Sequence, residues 1–169
     1  MKPQGSIPRR TVLAGLAFCA ASGTVSALDK KDQAPKFNAT TLDGEKFTND
    51  SLKGKVVLIQ FWATWCRYCR GDQPAVDALV HDFAGQGLIV LAVNVGEPKK
   101  KVKKYLEDSP RACKIVLTEN TNLAAMFAAK SYPFYVLIDK EGNVVDTQNG
   151  AGGEEALRRM VAKAGLKPE

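Results

Sequence analysis

Two cysteines lie three positions apart in the stretch FWATWCRYCRGDQP, residues 61–74. Cysteine pairs with this spacing bind a metal, staple a small fold, or exchange a disulfide with another molecule. The chain has 169 residues, of which 45% are hydrophobic, and this is enough for the core of one domain without staples. The pair Cys66 and Cys69 therefore needs a chemical explanation.

A structural zinc site requires four ligands, usually from a second cysteine pair or from a pair of histidines. After residue 27 the chain offers only Cys113 and His81 besides the pair. We interpret Cys113 as a buried free thiol at the start of a strand, and His81 as an exposed residue of a helix. A zinc site is therefore not expected, and neither a metal nor another cofactor is assigned to the chain.

The segments on either side of the pair predict a strand followed by a helix. Residues 55–63, KVVLIQFWA, form an apolar run typical of a strand buried on both faces. In residues 67–84 apolar side chains recur at a spacing of four, which predicts a helix that Pro74 kinks. Cys66 then lies at a helix N-terminus, where free N–H groups and the helix dipole stabilise a thiolate, and this favours redox chemistry. We expect Cys66 to be the exposed nucleophile and Cys69 to be the partly buried resolving thiol.

The remaining segments predict a single α/β domain. They comprise a hairpin in 34–55 turning at Asp43-Gly44, strands at 87–95 and 114–119, helices at 99–108, 123–129 and 152–165, and a second hairpin at 133–148. This order predicts a central mixed sheet flanked by helices, with an N-terminal β-hairpin.

Residues 1–27 differ in composition from the rest of the chain. Three basic residues precede a short apolar run that ends in VSA, which predicts a secretory signal cleaved after Ala27 and an exported domain at 28–169. An uncleaved membrane anchor is the alternative, although roughly 15 apolar residues are short for the hydrocarbon core. PRRTVL also resembles a twin-arginine signal, so the export route stays open. Removing the three basic residues lowers the net charge from +6 to +3. Part of the positive charge therefore belongs to the predicted signal, and the charge gives no reason to expect a nucleic-acid partner.

The stretch FWATWCRYCRGDQP resembles the active site of TlpA/ResA-type thiol-disulfide oxidoreductases, which are relatives of thioredoxin. Two further segments match the family in the right order, LAVNVGE at 91–97 and YPFYVLIDKEGNVV at 132–145. The resemblance extends from about Ala34 to Leu166 and implies a thioredoxin-like fold. It also implies that Cys66 is the attacking thiolate and Cys69 the resolving thiol.

The resemblance implies roles for four further residues. Glu97 matches a buried acid beneath the pair that exchanges a proton with Cys69, and we expect burial to raise its pKa. The alternative for Glu97 is a surface acid before the basic helix. Pro133 matches a cis-proline that faces the pair, with an ordinary trans-proline as the alternative. Trp65 and Tyr132 are expected to border the groove that binds the substrate.

The dipeptide between the cysteines departs from the family, which usually carries proline there. Arg67 places a cation beside the thiolate, which should lower the pKa of Cys66 and make the protein more oxidising. An ionised Glu97 acts in the opposite direction, so the redox direction stays open.

The resemblance implies an exported, monomeric protein-disulfide oxidoreductase in the periplasm or at the extracytoplasmic face of the membrane. Its substrates would be proteins bearing disulfides or thiols, such as an apocytochrome c or a copper-site assembly protein, with a membrane donor for re-reduction. A periplasmic oxidant or isomerase is the first alternative. A copper-binding or redox-inert docking protein is the second, and an exported peroxidase is more distant.

Overall fold

The computed structural model describes residues 32–167. The predicted signal at 1–27, with Cys19, lies outside the described residues. Within 32–167, no helix is both long and apolar enough to cross a membrane.

Within residues 32–167, seven strands form one mixed sheet, as expected. In chain order they are β1 (Asn38–Thr41), β2 (Lys46–Thr48), β3 (Val56–Trp62), β4 (Leu88–Asn94), β5 (Lys114–Thr121), β6 (Phe134–Ile138) and β7 (Val144–Asn149). Their order across the sheet is β2-β1-β5-β4-β3-β6-β7. The central strand β3 pairs in parallel with β4 and antiparallel with β6, which makes the sheet mixed. Strands β1 and β2 form the predicted N-terminal hairpin, and Gly44 in its turn adopts a φ of 88°.

Four helices in this described part of the chain connect and cover the strands. They are α1 (Arg67–Phe83), α2 (Lys99–Asp108), α3 (Leu123–Met126) and α4 (Gly153–Ala162), and a short 3₁₀ turn follows α1 at Ala84–Gln86. The helix predicted at 123–129 is shorter than expected, because Ala128 adopts a left-handed φ of 47° just after the C-cap residue Phe127. The predicted bounds of the other three helices agree with the structure within three residues.

Strand β3 positions the cysteine pair. All of its residues are buried, and alternate side chains enter two separate hydrophobic cores, one on each face of the sheet. The core that contains Leu58 and Trp62 is completed by side chains of α1, α2 and α4. The core that contains Ile59 and Phe61 is completed by α3 and by the chain before β3. A strand fixed on both faces holds the turn at its C-terminal end, which leads into α1, in one place.

Candidate active site

The turn between β3 and α1 presents Cys66 as the N-cap residue of the helix. The Cys66 backbone N–H donates to the Ala63 carbonyl at 3.1 Å, and the Arg70 N–H donates to the Cys66 carbonyl at 3.2 Å. The Cys69 N–H donates to the Cys66 sulfur, also at 3.1 Å. A helix N-terminus leaves N–H groups without intrahelical acceptors, and here one of them points at sulfur. The predicted position of Cys66 at the start of a helix is confirmed.

Cys66 and Cys69 form a disulfide, with an S–S distance of 2.09 Å and a Cα–Cα distance of 5.3 Å. Cys66 is 4% exposed and Cys69 is 2% exposed, so the expectation that Cys66 is an exposed residue is wrong for this oxidised form. The reason is the capping geometry, because the Cys66 side chain turns back over the helix end instead of outward. A partner must therefore reach sulfur atoms that lie just beneath the surface.

The surface beside the disulfide is aromatic. Trp65 and Tyr68 are 63% and 70% exposed, and among the described residues they are the two exposed large hydrophobic side chains. The Trp65 ring meets the Tyr132 ring edge to face, with centroids 6.2 Å apart. The Tyr132-Pro133 peptide bond is cis, as predicted, and Pro133 is buried. Trp65 thus brings the loop that carries Tyr132 and Pro133 next to the turn that carries the cysteines.

Glu97 lies against the same turn, with its side chain 4% exposed. Its carboxylate accepts hydrogen bonds from the Thr64 N–H and the Thr64 hydroxyl, both at 2.6 Å, and from Asn94 Nδ2 at 2.8 Å. Lys101 Nζ forms an ion pair with it at 2.8 Å. Burial alone would favour the neutral acid, but these four donors outweigh it and lower the pKa of Glu97 to about 2. The expectation of a raised pKa is therefore wrong.

Glu97 consequently holds the turn as a carboxylate. A group with a pKa near 2 is almost always ionised at neutral pH and is a weak proton acceptor. Its two bonds to Thr64 instead fix the backbone two residues before Cys66. The alternative of an ordinary surface acid is also wrong, because the side chain is buried.

Asp72 is a buried carboxylate that the sequence reasoning missed. It lies on α1 one turn after Cys69 and is 3% exposed. It accepts hydrogen bonds from the Tyr135 hydroxyl at 2.9 Å and from the N–H groups of Gly152 and Gly153, at 3.1 and 3.0 Å. Asp72 thereby ties the active-site helix to β6 and to the start of α4.

The polar chain continues beneath the helix from Tyr135. Gln60 Nε2 donates to the Tyr135 hydroxyl at 3.0 Å, and an Arg111 guanidinium N–H donates to Gln60 Oε1 at 2.6 Å. Arg111 also stacks over the Trp62 ring, with its central carbon 4.4 Å from the centroid. Burial first, and then the charge of Asp72, raise the pKa of Tyr135 above its usual range, so its hydroxyl stays protonated and remains a donor.

The spacing of Asp72 contains a signal that could have revealed it. Cys69, Asp72, Val76, Leu79 and Phe83 recur at intervals of three or four and are all buried. An acid on the apolar stripe of a helix has to find partners, and this one finds them on two other elements.

The other candidate residues show no sign of a role in the site. Cys113 is free and buried, as expected, and burial raises the pKa of its thiol to about 11, which keeps it protonated at neutral pH. His81 is exposed, which confirms the expectation, and Trp62 belongs to a core. Residues 32–167 contain no cluster of three or more His, Cys, Asp or Glu side chains arranged to hold a metal ion.

Residues 31–147 match the model of the AhpC/TSA family. The chain belongs to this family. The chain is 30% identical to the thiol-disulfide oxidoreductase ResA of Geobacillus thermodenitrificans, over 99% of this chain and 100% of that protein. It is 34% identical to the thioredoxin-like protein YneN of Bacillus subtilis, over 79% of each chain. A crystal structure of a thioredoxin-family thiol:disulfide interchange protein from Chlorobium tepidum superposes with a TM-score of 0.70, at 28% identity, over 79% of this chain and 96% of that one.

These similarities confirm the thioredoxin-like fold and the resemblance on which the site prediction depends. Together with the disulfide at the N-terminus of α1, they identify the protein as a thiol-disulfide oxidoreductase with a Cys66–Cys69 pair.

Proposed function

We propose that the protein is exported and reduces disulfides in a partner protein outside the cytoplasm. The basic and apolar composition of residues 1–27 supports export. Candidate partners are an apocytochrome c or a copper-site assembly protein, and a membrane donor returns the electrons. The observation that carries the redox role is the hydrogen bond from the Cys69 N–H to the Cys66 sulfur, because this N–H stabilises negative charge on the sulfur.

The proposed reaction has two exchange steps. The Cys66 thiolate attacks one sulfur of the partner's disulfide, forms a mixed disulfide and releases the other partner sulfur as a thiolate, which takes a proton from solvent. Cys69 loses its proton and attacks the Cys66 sulfur, which closes the bond seen in the structure and releases the second partner thiol. The partner gains two electrons from the Cys66–Cys69 pair. Of the two protons that it gains, one balances the proton that Cys69 loses and the other comes from solvent.

The neighbouring residues assist in different ways. Trp65 and Tyr132 form the surface that receives the partner segment beside the disulfide, and the buried Pro133 follows Tyr132 in the same loop. Glu97 is a positioning residue, because its carboxylate holds the Thr64 backbone and its negative charge opposes the Cys66 thiolate. It leaves the proton of Cys69 to solvent, since its own pKa is too low to accept one at neutral pH.

Trapping tests the proposed chemistry. A Cys69→Ser variant, once reduced, should accumulate a mixed disulfide between Cys66 and its partner, which mass spectrometry of an extracytoplasmic extract would identify. Cys66→Ser is the matched control and should trap nothing. Equal trapping by the two variants would contradict the assignment of Cys66 as the attacking thiol and Cys69 as the resolving thiol. Trapping by neither variant would contradict the proposed exchange activity itself.

A role as an oxidant is favoured by one observation. Arg67 is exposed in the first turn of α1, where no acidic residue balances it. A cation there stabilises the reduced form and raises the reduction potential. A measured potential near about −270 mV supports a reductant, and one near about −120 mV supports an oxidant.

A further inference from the structure

The surface around the disulfide combines exposed aromatic rings with exposed positive charges. Arg67 and Arg70 are exposed on the first turn of α1, beside Trp65 and Tyr68. Neither arginine makes an ion pair or a side-chain hydrogen bond with any residue in 32–167. The first turn of the helix contains no acidic residue.

The other three arginines in the described part of the chain have side-chain partners within it. Arg158 pairs with Asp82 and Glu154, and Arg159 pairs with Glu155. Arg111 donates to Gln60 and stacks on Trp62. The two arginines beside the cysteines thus differ from these three in having no side-chain partner among residues 32–167.

Nearby carboxylates do not neutralise these two charges. Glu97 is buried and paired with Lys101, and Asp72 is buried under three hydrogen-bond donors. The exposed Glu119 lines a cleft with Glu97 and Pro98, and no residue of α1 lines that cleft. Arg67 and Arg70 are therefore the exposed charges on the first turn of the helix that carries the disulfide.

We propose that the partner segment that enters this site is an extended polypeptide with acidic residues within a few positions of its cysteine. This inference rests on the proposed exchange with protein substrates and specifies their chemistry. A guanidinium binds a carboxylate through two parallel hydrogen bonds, and exposed aromatic rings are frequent anchors at interfaces. A substrate sulfur must approach Cys66 to bonding distance, so residues that flank it pass directly over Trp65 and the arginines.

Electrostatic attraction at a binding site acts mainly on the rate of encounter and on the choice of partner. The test therefore compares rates for three disulfide peptides that are identical except for the residues flanking cysteine, which are Glu, Gln or Lys. Reduced wild-type protein should react fastest with the Glu peptide and slowest with the Lys peptide, by about tenfold at low salt. The ratio should approach one at molar salt, where the screening length falls to about 3 Å.

Two double variants separate a local effect from net charge. Arg67→Gln with Arg70→Gln should bring the ratio of Glu-peptide to Lys-peptide rates close to one. Lys55→Gln with Lys140→Gln removes the same charge from exposed positions at the opposite end of β3, where the Gly54 N–H contacts the Lys140 carbonyl, and should leave the ratio unchanged. Because each ratio is taken within one protein, altered reactivity of the Cys66 thiolate cancels.

Each result bears on the inference. Equal rates for the three peptides in the wild type, or equal loss of the ratio in both double variants, would overturn it. Binding to vesicles of anionic lipid that depends on Arg67 and Arg70, with no peptide preference, would overturn it in favour of a membrane surface. Reduction of the disulfide by dithiothreitol and turnover of the uncharged Gln peptide report the exchange activity separately. If both fail, the proposed function fails, and the inference falls with it.

Discussion

Two buried carboxylates lie next to the cysteine pair, and they are held by different kinds of donor. Glu97 receives a half-exposed cation, Lys101, together with the side chain and backbone of Thr64 and the amide of Asn94. Asp72 receives only neutral donors, one phenol and two backbone N–H groups that lie 80 and 81 residues away in the chain. The Glu97 group fixes one turn, whereas the Asp72 group joins three elements.

This difference distinguishes an electrostatic role from a structural role for a buried acid near a redox site. A carboxylate with a cationic partner keeps its charge and sets the electrostatics of the turn. A carboxylate with backbone donors acts as a brace, because removing it leaves several buried groups without partners at once. We therefore expect Asp72 to dominate stability and Glu97 to dominate the dependence on pH and charge.

The largest effect is expected from Asp72→Ala. The variant leaves the Tyr135 hydroxyl and two glycine N–H groups without their acceptor, so the free energy of unfolding should fall by about 4 kcal/mol. Urea denaturation measures this loss. Asp77→Ala is the matched control on the same helix, since Asp77 accepts one bond from the Ala112 N–H, and it should lose about 1 kcal/mol. Equal losses would show that Asp72 is not a brace.

The second effect is a loss of stability in acid that belongs to Glu97. Its folded-state pKa, about 2, lies below the ordinary value of 4.5, so its contribution is complete above pH 4.5 and is lost as pH falls towards 2. The shift corresponds to about 2 to 3 kcal/mol, with screening of Lys101 included. Glu97→Gln should flatten this part of the curve of unfolding free energy against pH.

Lys101 offers a sharper form of the same test. Lys101→Gln removes the cation that lowers the pKa of Glu97, so the acid transition should move to higher pH. Lys100→Gln, at the neighbouring exposed position, removes an equal charge and should leave the transition in place. If both variants shift it equally, the charge of the whole helix matters instead of the ion pair.

A smaller effect is expected from the charge of Arg67, which contacts neither of the two buried carboxylates. Arg67→Pro removes the exposed cation beside Cys66, which should raise the pKa of the thiol and lower the reduction potential. The expected change is about 30 mV, equivalent to ~1.4 kcal/mol for this two-electron couple. Equilibration with glutathione or dithiothreitol buffers measures it. An unchanged or higher potential would mean that the helix end alone sets the thiolate energy.

The smallest effect concerns the Cys66 thiolate and Glu97. Glu97→Gln removes a negative charge near the turn, so Cys66 should titrate at lower pH. The ultraviolet absorbance of the thiolate against pH reports this shift. Superimposable titration curves would restrict Glu97 to holding the Thr64 backbone.

Local patterns in the sequence predicted most of the elements that surround the cysteine pair. The apolar run of β3 predicted a strand buried on both faces, and the apolar spacing in residues 67–84 predicted a helix that begins just after Cys66. The similarity of 132–145 to the thiol-disulfide oxidoreductases predicted the cis bond before Pro133. These properties depend on neighbours within a few residues or on a family motif, so they can be read from the chain directly.

Three properties were decided only by the tertiary structure. The ionisation of Glu97 depends on Thr64, which lies 33 residues away and supplies two of its donors. The burial of Asp72 depends on glycines at the start of α4. The burial of Cys66 depends on which way a capping side chain turns. In each case the deciding atoms belong to another element or to a side-chain orientation, and a carboxyl or thiol group responds to the donors that surround it in space.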